Sequence, residues 1–219
     1  MITNKEIIDA LHFRHAAKEF DPAKKISKEN FETILEAGRL SPSSFGFEPW
    51  KFVVVQDPVL REKLKPLAWG AQKQLPTSSH FVLLLVAQPN LMRADTHYIN
   101  YMMDSVKKLP AEVKTMLHGF YSEFQKADFK LDTDRNLTDW AKHQVYIALA
   151  NMMTVGALLG VDSCPVEGFK EDQINEFLKN ELKVNTDEYG IAVMCGFGYR
   201  IVEPREKTRR TMEEVAVWF

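Results

Sequence analysis

Apolar residues fall at helical spacing soon after the chain begins. Asn4 is a suitable N-cap, and Ile7, Ile8 and Leu11 follow on one face, which predicts a first helix leading into Arg14–Lys18 before Asp21-Pro22 breaks it. Ser27 caps a second helix with Phe31, Ile34, Leu35 and Gly38 on the inner face, stopped by Ser41-Pro42-Ser43-Ser44. Two uninterrupted apolar runs, Phe52–Val55 and Phe81–Val86, have the length of strands buried on both faces, with a short helix from Asp57-Pro58 between them. From Asn90 to Lys126 the pattern is helical but irregular and rich in large side chains. Lys130 to Asn136 is charged and predicts a loop. Thr138 then caps a long helix to Gly160, where Gly156 and the Ala-Leu-Ala run suit close approach of a neighbour. Lys170–Leu182 predicts a further helix and Tyr189–Phe197 a third strand, while the tail Val215–Phe219 is too apolar to lie free in water.

Few strands, many helices and no regular alternation of the two favour an α+β fold. No repeat or linker interrupts the chain, so residues 1–219 are expected to form one domain. The near balance of 28 Lys+Arg against 30 Asp+Glu argues against a nucleic-acid binder but leaves room for a local basic patch. The two cysteines, Cys164 and Cys195, make neither a disulfide scaffold nor a zinc spacing, and they fit a reducing compartment. No basic-then-apolar leader is visible at the start. The longest uncharged stretch, 143–161, carries Gln144, Asn151 and Thr154 and reads as a buried helix rather than a membrane span. A cytoplasmic protein with no membrane or nucleic-acid partner is the expectation.

Several chemistries are missing. Gly196-Phe-Gly198 lacks the third glycine of a dinucleotide fingerprint, since Ile201 stands there and no helix pattern follows. No phosphate loop, nucleophile elbow or H-E-x-x-H occurs, and His12 and His15 have no third metal ligand nearby. Ser78-Ser79-His80 suits local hydrogen bonding at the start of a strand.

Four segments carry the remaining signal. Arg14-His15-Ala16-Ala17-Lys18 places two cations four residues apart at a helix end, which alone reads as a solvated basic edge. Ser41-Pro42-Ser43-Ser44-Phe45-Gly46-Phe47-Glu48-Pro49-Trp50 is a loop of hydroxyls and glycine, ordinary turn material unless it grips a ligand. Cys164-Pro165-Val166-Glu167-Gly168-Phe169 reads as a turn whose glycine lets backbone N–H groups approach a flat ligand. Arg205–Arg210 is a basic run able to bind phosphate.

Taken in order, R-H-x-x-K, S-P-S-S-x-x-x-x-P-W, an apolar strand after Ser79-His80, W-x-x-x-Q-x-Y at Trp140–Tyr146, P-x-E-G-F and a C-terminal K-x-R closely resemble the FMN-dependent nitroreductase family over nearly the whole chain. The resemblance implies a three-layer α+β fold with a mainly antiparallel sheet flanked by helices. It also implies a homodimer with tight, non-covalent FMN at the subunit interface, and a C-terminal tail reaching onto the partner. Arg14, Lys207 and Arg209 would clamp the FMN phosphate with His15 and Ala16 alongside, and Lys18 would reach the pyrimidine edge. Pro42, Ser43 and Ser44 would come from the partner, and Gly46 would be a further cofactor contact. Pro165, Val166, Glu167 and Gly168 would lie along the ring, with the backbone N–H groups of Glu167 and Gly168 at its reactive edge. Ala71 and Gln74 match further flavin contacts. Phe45, Phe120, Tyr121 and Phe124 are candidates for the acceptor pocket.

No side chain is assigned a catalytic role, because the flavin carries the chemistry. Hydride would pass from NADH or NADPH through FMN to nitroaromatic, quinone or flavin acceptors in a ping-pong cycle. An enone or pteridine acceptor, or FMN binding without catalysis, stays open. Three departures bear on flavin affinity: Ala16 in place of Ser, Ala71 in place of Asn (with Gln72 as a substitute), and Glu48 in place of Gln before Pro49-Trp50.

Overall fold

A computed structural model describes residues 2–219. In chain order the elements are α1 (Asn4–Phe13), α2 (Lys28–Arg39), β1 (Trp50–Val54), α3 (Pro58–Leu64), α4 (Gln74–Thr77), β2 (His80–Ala87), α5 (Pro89–Met92), α6 (His97–Tyr101), α7 (Ala111–Glu123), α8 (Asp134–Leu158), β3 (Asp162–Val166), α9 (Glu171–Asn180), β4 (Tyr189–Gly198) and α10 (Met212–Val215). The four strands form one antiparallel sheet in the order β1-β2-β4-β3, so the class is α+β. The central pair, β2 and β4, is almost wholly buried, as continuous apolar runs with helices on the sheet require.

α8 organises the rest. Its 25 residues pack on β2, β3, β4 and α2. The close approach between α2 and α8 comes from Gly38 rather than from Gly156. A Cβ on Gly38 would stand 2.9 Å from both Met152 and Phe52, whereas one on Gly156 would meet only ordinary contacts. α8 also begins earlier than expected: Thr133, not Thr138, is its N-cap and accepts the Asn136 N–H at 3.1 Å, so Asp134–Asn136 are helical and not loop. At α1 the cap is Thr3 instead of Asn4, in a reciprocal pair with Glu6.

The expected turn at Cys164 is in fact a fourth strand. β3 lies at the sheet edge, where Pro165 can sit without breaking an inner ladder. The segment after α1 is not helical either. Arg14 is extended, and Ala16 forms a parallel bridge to Ser163, so Arg14 and Lys18 do not share a helix face. Ile7, Ile8 and Leu11 are exposed rather than inward, as are Val217, Trp218 and Phe219. Among the described residues no helix is long and apolar enough to cross a membrane.

Candidate functional site

Both ends of the chain meet beside the N-terminus of β3. Phe13–Lys18 runs along that strand, fixed by the Ala17 N–H to the Ser163 carbonyl at 3.2 Å. Arg200, just after β4, locks the arrangement. Its guanidinium lies 2.8 Å from Asp162 Oδ1 in a buried ion pair out of line for a hydrogen bond, and Asp162 Oδ2 accepts the Arg200 N–H at 2.9 Å. The same guanidinium donates to the Phe13 carbonyl and stacks 4.2 Å from the Phe13 ring. Asp162 and Arg200 carry no motif; only their position at strand ends could have marked them.

Arg14, Lys207 and Arg209 share one concavity with Ile8, Leu11 and His12. Lys207 Nζ donates to the carbonyls of Leu11, at 2.5 Å, and Arg14, capping the orphan end of α1. Burial, then the neighbouring Arg14, Arg209 and Arg200, hold its ammonium below the ordinary lysine range. Among the described residues no carboxylate lies within ion-pair distance of these three cations. Three unneutralised cations at a helix end suit a phosphate.

The neighbouring cavity, of about 310 Å³, is walled by His15, Ala16, Lys18, Lys73, Arg200 and Pro204, with Glu19 and Glu203 also in its lining. His15 Nδ1 meets the Phe13 carbonyl at 3.0 Å, and a carbonyl can only accept, so this nitrogen is the donor. Its Nε2 is buried without a partner in the protein. Lys18 is exposed, with Nζ 3.7 Å from Cys164 Sγ, and the buried Gln74 carboxamide reaches the same sulfur at 3.1 Å.

The Glu167–Gly168 turn follows β3 and rests on Trp69–Gly70. Gly70 donates to the Gly168 carbonyl at 2.7 Å, and a Cβ on Gly168 would stand 2.7 Å from Gly70 Cα, so glycine is required there. The Glu167 carbonyl accepts the Phe169 N–H at 2.9 Å, while the N–H groups of Glu167 and Gly168 have no acceptor among the described residues. Ala71 is fully buried. The Gln72 amide nitrogen donates to the Lys65 and Ala68 carbonyls.

Side chains from three other segments shape the 41–48 loop. Gln144 on α8 accepts the Ser44 N–H at 2.9 Å, Asn151 donates to Ser41 at 2.9 Å, Tyr98 donates to the Glu48 carbonyl at 2.9 Å, and Lys107 donates to the Phe45 carbonyl. These bonds hold Phe45 and Glu48 at positive φ, a strained state for such residues. Pro42, Ser43, Ser44 and Gly46 line no wall of the His15–Lys18 cavity. The Phe45 ring lies tilted against Tyr121 at 4.9 Å and edge-on to Phe124 at 5.1 Å. Tyr121 itself is core: it is fully buried and its hydroxyl donates to the Met92 carbonyl. Phe120 is exposed and stacks with none of these rings. Gln144 and Tyr146 belong to the W-x-x-x-Q-x-Y motif, but their roles became visible only in the fold.

The nitroreductase family model matches residues 11–199. The chain belongs to the nitroreductase family. A Staphylococcus epidermidis protein provisionally named NAD(P)H nitroreductase is 54% identical over 98% of this chain and 97% of its own length. A Bacillus subtilis protein with the same provisional name is 53% identical over 97% of each chain. Among solved structures, a provisionally assigned nitroreductase from Exiguobacterium sibiricum, in complex with FMN, has the same fold (TM-score 0.78, 23% identity, covering 100% of this chain and 99% of that one). The family and the antiparallel α+β sheet agree with the sequence reading.

Proposed function

We propose that this nitroreductase-family protein is an FMN-dependent oxidoreductase that uses NADH or NADPH, acting in the cytoplasm as a single-domain homodimer. The observation that carries the reading is the convergence of Arg14, Lys207 and Arg209 in one concavity without a carboxylate, next to a cavity lined by His15 and Lys18. The residues fit the cofactor. The three cations would hold its phosphate, His15 and Ala16 its chain, and Lys18 the pyrimidine edge. The two free N–H groups of Glu167 and Gly168 would meet the ring. Bound FMN would supply hydride transfer from the nicotinamide to a nitroaromatic, quinone or flavin acceptor, each taking its turn in one ping-pong pocket.

The chain's own contribution is binding, orientation and fixed charge. A cation beside the pyrimidine favours negative charge on the bound ring. Phe45 and Phe124 offer flat apolar faces for an acceptor, with Phe120 at the rim. That Pro42–Gly46 lies outside the cavity supports its contribution to the partner's site.

Purified protein should be yellow and bleach anaerobically with NADPH or NADH; a colourless protein that FMN cannot reconstitute sinks the proposal. Two variants separate binding from stability. Arg209→Ala should weaken FMN about 10- to 100-fold, as loss of a charge-assisted bond does, with an unchanged unfolding midpoint. Lys207→Ala should weaken FMN and also lower the midpoint, because it uncaps α1.

A further inference from the structure

Four contacts fix the Glu167–Gly168 turn. Val166 pairs with Met194 in the sheet, Gly70 holds the Gly168 carbonyl at 2.7 Å, and Phe169 holds the Glu167 carbonyl at 2.9 Å. The fourth comes from α8: the Tyr146 hydroxyl donates to Glu167 Oε1. Tyr146 is half-buried, Glu167 is exposed, and no other hydrogen bond holds that carboxylate among the described residues. We propose that Tyr146 is a positioning residue: by tethering the Glu167 carboxylate to α8, it sets the direction in which the Glu167 and Gly168 N–H groups face the flavin. The inference rests on the FMN reading above.

The geometry explains why this tether matters. The two held carbonyls restrain one side of the turn, but the Glu167 side chain is the lever by which the Val166–Glu167 peptide can rock. α8 is a rigid anchor, packed on three strands and α2. Two residues earlier, Gln144 of the same helix accepts the Ser44 N–H at 2.9 Å. Positions two apart on a helix are about 200° apart, so α8 grips the Ser44 loop and the Glu167 turn from different sides. Burial, reinforced by the bond to Glu167, raises the Tyr146 phenol above its ordinary range. The hydroxyl therefore remains a donor at neutral pH.

The test compares wild type, Tyr146→Phe, Glu167→Ala and the double variant, each stripped of flavin and titrated with FMN. The readouts are FMN fluorescence, the visible flavin band and the unfolding midpoint of the flavin-free protein. Tyr146→Phe should bind FMN about tenfold more weakly, the scale of one hydrogen bond to a charged group, with an altered flavin band. In the Glu167→Ala background the same change should add nothing, because the lever is already gone. If Tyr146→Phe does not fold, Glu167→Gln serves: it keeps the side chain's size, weakens the acceptor, and should shift the band in the same sense.

Wild-type affinity and band shape in Tyr146→Phe, or in Glu167→Gln where that variant stands in, would overturn the proposal. So would a tenfold loss that persists in the Glu167→Ala background. A wild type that binds no FMN overturns the FMN reading and this inference together, whereas FMN-binding wild type with an indifferent Tyr146→Phe overturns the inference alone.

Discussion

His80 stands face to face with Phe31, ring centroids 3.7 Å apart, at the start of β2. Burial, then the positive charges of Arg61 and Lys25, push its pKa down to about 4 from 6.5. The unfolded chain therefore takes up a proton as pH falls below 6.5, while the folded chain does so only near 4. Stability from this residue is complete above pH 6.5 and declines as pH falls towards 4. Allowing for solvent screening of a half-buried ring, the loss is roughly 1–2 kcal/mol. Urea midpoints at pH 7.5 and 5 should show this drop in wild type and a smaller one in His80→Phe; equal drops would refute it. The serine next to it was readable as a local hydrogen-bonding group, and Ser79 meets His80 at 3.1 Å; that it also accepts the N–H of Ile26, 53 residues away, at 2.8 Å was not. Side-chain destinations across the fold were not readable. Nothing local in the sequence tells that Gln72 turns back to Lys65 and Ala68 while Gln74 reaches Cys164.

Elements were legible where one local force dominates. β2 is an unbroken apolar run, and α2 has both a Ser27 cap and a regular inner face, so each appears where hydrophobic periodicity places it. α8 was misplaced by one turn or more because both Thr133 and Thr138 are acceptable caps, and the charged 130–136 segment resembles loop when its exposed face is read alone. β3 was hidden by Pro165 and Gly168, which signal a turn unless the strand lies at an edge. The two threonines give a direct check. Thr133→Ala removes the bond to Asn136 N–H and should cost about 1 kcal/mol in chemical unfolding. Thr138→Ala, inside the helix, should stay within about 0.5 kcal/mol of wild type. The reverse order would mean that α8 begins where the sequence alone places it.

At the scale of the molecule, a formal charge of −2 conceals a cationic focus assembled from residues nearly two hundred positions apart. Motif order pointed to these residues and implied a second copy, and the fold adds a set of exposed apolar side chains. Ile7 and Ile8 of α1, Val202, Val215, Val217, Trp218 and Phe219 are all exposed in the isolated chain. The Ser43–Ser44 loop, held by Gln144, lines no wall of the His15–Lys18 cavity of its own chain. The proposed homodimer would account for both, with a second copy covering the apolar surface and receiving the loop at its flavin. Sedimentation should then give twice the 25.2 kDa chain mass. Deleting Val215–Phe219 should weaken both self-association and FMN retention, since the site depends on the partner. FMN affinity should recover as the truncated protein is concentrated and pairing is restored by mass action. A wild-type monomer holding FMN at full affinity would refute the shared site, and a truncated dimer that still loses FMN would place the tail's role in the pocket instead of the interface.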